Sequence, residues 1–198
     1  EVRRLDRRSD ALAASFLEHL GEKQRDRLVD AMADVERLLT AGLVRVDAED
    51  PAHPDARHCV AAYVAELDDR FQDGFDAGRS LPADDDELRP PSGVLLLARL
   101  RGEPVGCVAL KRHGRRPAEV KRMWVDGSAR GLGVGRRLLA EVEAYAAEHG
   151  VRALHLETNR SLVEAIALYR SAGYAEVPAF NDEAYAHHWF EKHLGPQD

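Results

Sequence analysis

The sequence predicts a mixed α/β (α+β) chain, in which an N-terminal helical hairpin precedes a domain built on a mixed, mostly antiparallel sheet. Three observations carry this reading. From Asp10 to Leu39 the apolar residues recur at spacings of three and four, the period of an amphipathic helix. From Gly93 to Val125 three strand-like runs follow one another across short turns, as in a meander. Beyond Gly133 helical and strand-like runs alternate, which places helices against the sheet.

Taken in order, Leu12, Phe16 and Leu20, then Leu28, Met32, Val35 and Leu39, mark two helices broken near Gly21. Their other faces carry Arg7, Arg8, Arg25, Asp26, Asp30, Asp34 and Glu36, a solvated, salt-laced surface with no catalytic constellation. After Ala41-Gly42 the pattern changes to a short strand, Leu43 to Val46, so a domain boundary is placed near residue 42, separating residues 1–42 from 43–198. Cys59, Val60, Tyr63, Val64 and Leu67 give a helix between His53 and Phe71. A loop with Gly74, Gly78, Pro82, Pro90 and Pro91 follows, and its acidic run Asp84 to Glu87 reads as solvated. Strands Gly93 to Leu100 and Val105 to His113 flank the turn Arg101-Gly102-Glu103-Pro104, and a third covers Ala118 to Val125. The remainder reads as helix Gly133 to His149, strand Ala153 to Glu157, helix Leu162 to Ala172, strand Tyr174 to Val177 and a last strand around Trp189 and Phe190.

With 198 residues, 44% apolar and 32% charged, the chain can bury one sizeable core and is neither collagen-like nor low-complexity. A net charge of −7 removes any nucleic-acid footprint for the chain as a whole. Cys59 and Cys107 alone build neither a disulfide framework nor a four-cysteine zinc site, and fit a reducing cytoplasm. His187, His188 and His193 lack zinc spacing, so no metal is expected. The N-terminus is charged and the longest aliphatic run, Val94 to Ala98, is far short of a membrane span, so a cytoplasmic protein without a membrane partner is expected. The chain starts without methionine and enters a helical pattern within ten residues, which suggests a longer polypeptide upstream.

The most informative segment is Arg130-Gly131-Leu132-Gly133-Val134-Gly135-Arg136-Arg137, between a predicted strand and a predicted helix. Its glycines let a ligand approach the backbone, and the unpaired N–H groups of a helix start bind anions, pyrophosphate above all. It is not a Walker loop, which needs Gly-Lys followed by Ser or Thr, and the last glycine of a dinucleotide fingerprint is missing. Placed after a strand and opening a helix, it resembles the Arg-x-x-Gly-x-Gly signature of the GNAT superfamily of N-acetyltransferases. Glu157-Thr158-Asn159 at the end of the next strand and Leu168-Tyr169-Arg170-Ser171-Ala172-Gly173-Tyr174 match the same family in order. The resemblance covers about residues 43–194 and implies the GNAT acyl-CoA N-acyltransferase fold, with acetyl-CoA as co-substrate.

Such a transfer needs a clamp on the coenzyme, a donor polarising the carbonyl, a base for the ammonium and an acid for the thiolate. The resemblance implies a clamp formed by the backbone of Gly131, Leu132, Gly133, Val134, Gly135 and Arg136, with Arg136 or Arg137 adding charge, while Arg130 either contacts the coenzyme or braces the loop. It also implies that the strand segment Met123-Trp124-Val125 splays from its neighbour and pairs with the coenzyme's arm, the Met123 N–H aimed at the acetyl carbonyl. Glu119 stands at the spacing of a general base, or is an ordinary strand carboxylate. Tyr169 stands where family members keep an acid for the thiolate, or is a packed aromatic. Asn159 bonds the pantetheine arm, caps the segment from Ser161, or both. Period-two alternation puts Glu119, Lys121, Met123 and Val125 on one face and Val120, Arg122 and Trp124 on the other, so Glu119 and Arg122 share a pocket only if the strand bulges.

Family geometry places the acceptor near Phe71, Phe75, Asp76, Arg122, Asn181 and Tyr185, and a primary amine of a small molecule or amino acid is the expected substrate, with protein amines as rivals. The transfer is expected to be direct, since Cys107 lies mid-strand and offers no acyl-enzyme. Residues 5–14 and 28–39 resemble the closing helices of MarR-type winged-helix regulators, which implies a homodimer through residues 1–42 and nucleic-acid contact only through an upstream part. The alternative reading is therefore an acyl-CoA- or metabolite-sensing module of a MarR-type regulator fusion.

Overall fold

The computed structural model describes residue 17 and residues 19–81, 83–114 and 116–195. The chain divides into two compact units, Glu1–Gly42 and Leu43–Asp198. In the first, helix α1 (Glu22–Ala41) begins after Gly21, whose N–H donates to the Gln24 side-chain oxygen at 3.0 Å. No residue of α1 is buried within the chain. The helix expected over residues 10–20 lies almost wholly outside the described residues.

The second unit holds strands β1 (Val44–Glu49), β2 (Gly93–Leu100), β3 (Glu103–Lys111), β4 (Ala118–Val125), β5 (Ala153–Thr158), β6 (Ala175–Val177) and β7 (His188–His193), with helices α2 (Pro54–Arg70), α3 (Val134–Glu148) and α4 (Val163–Ser171). They form one seven-stranded sheet in the order β1-β2-β3-β4-β5-β7-β6. Every neighbouring pair is antiparallel except β4 with β5. The β2–β3 hairpin turns through Arg101 and Gly102, with φ of 55° and 94°; two left-handed residues are what a two-residue type I′ turn demands. Helix α2 starts where Pro54 fits the first helical position and His53 Nδ1 accepts the Asp55 N–H at 3.2 Å.

Strand β2 is buried on both faces. Val94, Leu96 and Ala98 join a core cluster with Leu138, Leu139 and Val142 of α3, Leu154, Leu156 and Phe190. Leu95 and Leu97 instead join Ala56 and Cys59 of α2, Leu88, Cys107 and Trp124 on the opposite face. This sandwich of helices on both faces explains why β2 reads as a continuous aliphatic run instead of an alternating one. The acidic run is more than solvated loop. Residues Asp85–Leu88 form a short 3₁₀ turn that buries Leu88, while Asp85 pairs with Arg57, Asp86 with Arg89 at 2.7 Å and Glu87 with Lys111 at 2.8 Å.

In β4, Lys121 pairs with Ala109 and Trp124 with Cys107, so Arg122 and Met123 together oppose Val108. That is a β-bulge, and Arg122 takes φ 54° to make it. The uniform alternation expected from the sequence fails here. Ala118 and Val120, then Met123 and Val125 past the bulge, all meet the α3 side, whereas Trp124 meets the α2 side. Among the described residues no helix is long and apolar enough to cross a membrane.

Candidate active site

Strands β4 and β5 are paired only at Ala118 with Leu154 and Glu119 with His155, then part. Beyond Glu119, β5 is held from its other side by β7, out to Thr158 against His188. Two adjoining cavities open at the wedge, one of about 500 Å³ and one of about 190 Å³, and Tyr63, Leu67, Met123, Leu162, Ala165 and Tyr169 line both.

The larger cavity is a groove walled by Met123, Trp124, Val125, Arg130, Gly131, Gly133, Val134, Gly135 and Arg136. Gly133 caps α3 in the left-handed region, φ 75°, a conformation that glycine takes freely. The first intrahelical donor is Arg137, whose N–H reaches the Gly133 carbonyl at 3.0 Å. The N–H groups of Val134, Gly135 and Arg136 precede it and lack intrahelical acceptors, and with the helix dipole behind them they favour negative charge. At Gly135 a Cβ would stand 3.3 Å from Leu168 Cδ2 and 3.7 Å from Met123 Cε, so the helix start lies close against the groove's side wall. Leu132 does not line the groove; it packs against the larger core cluster.

Arg130 spans the groove's base. Its Nε donates to the Val125 carbonyl at 3.1 Å and its Nη2 to Glu66 at 2.5 Å. Glu66 also accepts from Trp124 Nε1 at 2.9 Å and Arg70 at 3.2 Å, which ties α2 to the end of β4. Arg136 donates to Ser171 Oγ at 3.2 Å, linking α3 to α4.

The smaller cavity gathers Phe71, Phe75, Ala83, Lys121, Arg122, Glu157, Asn159, Glu183 and Tyr185. Phe71, Phe75 and Tyr185 pack as an aromatic wall with ring centroids 4.9–5.8 Å apart. The Tyr185 hydroxyl accepts the Asp76 N–H at 2.9 Å. Lys121 Nζ lies 2.6 Å from Glu157 and 3.4 Å from Glu119. Burial works against the Lys121 ammonium, but these carboxylates outweigh it and hold its pKa above the ordinary value of 10.5. Asn181 sits behind the lining, donating to Glu157 at 3.4 Å and accepting from Trp189 Nε1 at 2.8 Å. Asn159 uses its side-chain oxygen for the Ser161 N–H at 3.0 Å and its amide nitrogen for the Tyr185 carbonyl at 2.8 Å. It lines the smaller cavity and not the groove.

Glu119 borders neither cavity. Its carboxylate meets His113 Nε2 at 3.1 Å and Lys121 at 3.4 Å. Tyr169 borders both, buried in the chain, and desolvation followed by the Glu157 charge pushes its pKa well up, so the phenol stays protonated. Tyr63 has the same causes, desolvation first and then Tyr169 and Glu157. Sequence reasoning passed over Tyr63, Glu66, Lys121, Glu157 and Glu183 as site residues. Only Glu157 carried a signal, as the first residue of Glu157-Thr158-Asn159. The others come from segments that mean nothing until folded together. Among the described residues no group of His, Cys, Asp and Glu could hold a metal ion.

A parted strand pair, a glycine-rich helix start at the split and a tyrosine between two cavities define an acyl-CoA-binding transferase architecture. The profile of the Acetyltransferase (GNAT) family matches residues 51–174, and the chain belongs to that family, as an acetyl-CoA-dependent N-acetyltransferase. An IAA acetyltransferase of Azospirillum brasilense is 40% identical over 119 residues, 59% of this chain and 77% of its own length. The N-alpha-acetyltransferase RimI of Mycobacterium tuberculosis is 34% identical over 148 residues, 73% of this chain and 83% of its own. A solved GNAT-family acetyltransferase of Staphylococcus aureus, 18% identical, shares the fold with a TM-score of 0.64 over 77% of this chain and 99% of that one.

Proposed function

We propose that this enzyme acetylates the primary amine of a small molecule by direct transfer, with coenzyme in the groove and acceptor in the smaller cavity. The observation that carries the proposal is the position of Met123 and Tyr169, which border both cavities and so stand where thioester and amine would meet. The N–H groups opening α3 hold the pyrophosphate, and the Met123 N–H polarises the acetyl carbonyl. Tyr169, kept protonated, gives its proton to the departing thiolate. Glu157 faces the acceptor and takes the ammonium proton directly, whereas Glu119, set behind Lys121, serves through an intervening water. Both cysteines are buried and free, which supports a reducing, cytoplasmic setting and leaves no exposed thiol for an acyl-enzyme.

The test is calorimetry with acetyl-CoA joined to a thiol-release screen over small amines. Saturable binding with turnover on a small amine is the expected result. Binding with turnover only on protein amines would replace the acceptor class, and no binding would overturn the proposal.

A second reading rests on α1, where Val29, Met32, Val35, Leu38 and Leu39 are all more than half exposed. Such an exposed stripe supports pairing with a second copy, in keeping with the resemblance of residues 1–42 to regulator dimerisation helices. In that reading the acetyltransferase unit reports acyl-CoA or a metabolite to a DNA-binding module upstream. Sedimentation of the chain with and without residues 1–42 checks it: dimer and monomer respectively are expected, and a monomeric full chain would sink it.

A further inference from the structure

The smaller cavity is uneven in how its charges are satisfied. Its carboxylates are already engaged. Glu157 holds Lys121 and Asn181, and Glu183 accepts from Ser80 Oγ at 2.9 Å and the Leu81 N–H at 2.8 Å. Of its two cations, Lys121 is enclosed between Glu157 and Glu119. Arg122 is different. Among the described residues the only hydrogen bond of its side chain runs from Nη2 to the Ala83 carbonyl at 2.5 Å, and no carboxylate pairs with it. A guanidinium has five N–H donors in a planar fork suited to a carboxylate, so most of its donors remain for a ligand.

The backbone beneath this side chain is unusual as well. Arg122 holds a left-handed φ of 54° inside a strand, a conformation that disfavours a non-glycine residue. The fold tolerates that conformation at a residue that lines the smaller cavity and whose guanidinium reaches the carbonyl of Ala83, another lining residue. The charged groups of the lining, Lys121 and Arg122 against Glu157 and Glu183, sum to zero, which suits a zwitterion better than a polycation. The aromatic wall of Phe71, Phe75 and Tyr185 offers apolar contact for a side chain.

Resting on the acceptor cavity proposed above, we infer that the acceptor is a free amino acid with an apolar or aromatic side chain. Arg122 binds its carboxylate and so determines specificity. The amine then lies toward Glu157 and the Met123–Tyr169 junction, the side chain against the aromatic wall.

The experiment compares each L-amino acid with its own primary amide, for example phenylalanine with phenylalaninamide, which keeps shape and amine but loses the negative charge. The amide also represents a peptide N-terminus. The wild type is expected to favour the acid over the amide at least tenfold in kcat/KM, mostly through KM. In Arg122→Gln that ratio falls to about one, and Arg122→Lys, which keeps charge but not the fork, recovers part of it. Acetyl-CoA calorimetry on each variant shows whether the groove is still formed. Equal or better use of the amide by the wild type, turnover on no free amino acid, or an unchanged ratio in a folded Arg122→Gln would overturn this inference while leaving the enzyme's proposed amine chemistry standing. Loss of acetyl-CoA binding in the wild type would instead overturn the proposed function itself.

Discussion

The groove and the smaller cavity share one wall but are made from different materials. What marks the groove is backbone: left-handed Gly131 and Gly133 and the N–H groups opening α3, in one stretch of chain, with side chains of residues 63–70 and 162–169 completing its walls. The cavity is made of side chains from four distant segments, residues 60–83, 120–123, 157–169 and 183–186. A backbone site needs particular residues at adjacent positions and leaves a motif. A side-chain site needs only that its parts arrive together, so different residues serve in different chains and no local pattern records them.

The strongest test of this contrast is Tyr169, one of the residues common to both. Tyr169→Phe is expected to lower kcat by about 10²- to 10⁴-fold, the usual worth of a positioned acid, with acetyl-CoA affinity held within a few-fold. Unchanged turnover would return Tyr169 to a packing role. Next in size, Gly135→Leu drives a side chain into Leu168 and Met123 and costs about 3 kcal/mol, roughly a hundredfold in coenzyme affinity measured by calorimetry. At Gly133 a Cβ would meet no protein atom within 4 Å, so Gly133→Leu should disturb the fold less than Gly135→Leu, its effect on binding coming from the left-handed φ and from the side chain's entry into the groove.

On the acceptor side, Glu157→Gln is expected to reduce kcat by about tenfold or more, and Glu119→Gln by less. The reverse order in steady-state kinetics would move the base back to Glu119. Glu66→Gln loosens the tie among Arg130, Arg70 and Trp124, so acetyl-CoA KM should rise by a few-fold with the acceptor's little changed; equal rises would show that α2 braces both cavities.

The smallest effect concerns the loop that carries Ala83, the partner of Arg122. Arg89 fastens that loop to Asp50 and, with the Ala52 N–H, lowers the Asp50 pKa to about 2. A carboxylate whose folded pKa lies below its unfolded value of 3.8 stabilises the fold above that pH and loses the contribution as pH falls toward 2. Both partners face solvent, so the effect is modest. Asp50→Asn should narrow the stability difference between pH 5 and pH 3 in denaturant titrations, and an unchanged difference would remove this ion pair from the loop's support.

The succession of strands and helices was legible because local patterns carry it: aliphatic runs for β2 and β3, a two-residue turn at Arg101-Gly102, Pro54 opening α2 and glycines opening α3. The glycine loop and Tyr169 could be picked out for the same reason, since each sits in a contiguous motif. Strand β4 could not be read in full. Alternation assigned Met123 and Arg122 to faces by counting twos, and one extra residue at the bulge reversed the count.

What the sequence determined alone is therefore the succession of elements beyond residue 42 and the glycine-rich turn that opens α3, both consequences of short-range sterics and hydrogen bonding. Tertiary structure decided the rest. The parting of β4 from β5 after Glu119, the pairing of Lys121 with Glu157, the brace at Glu66 and the open guanidinium of Arg122 all depend on which distant segments pack together. That choice is made by burial of the whole core on both faces of the sheet, a sum that no single stretch of residues contains.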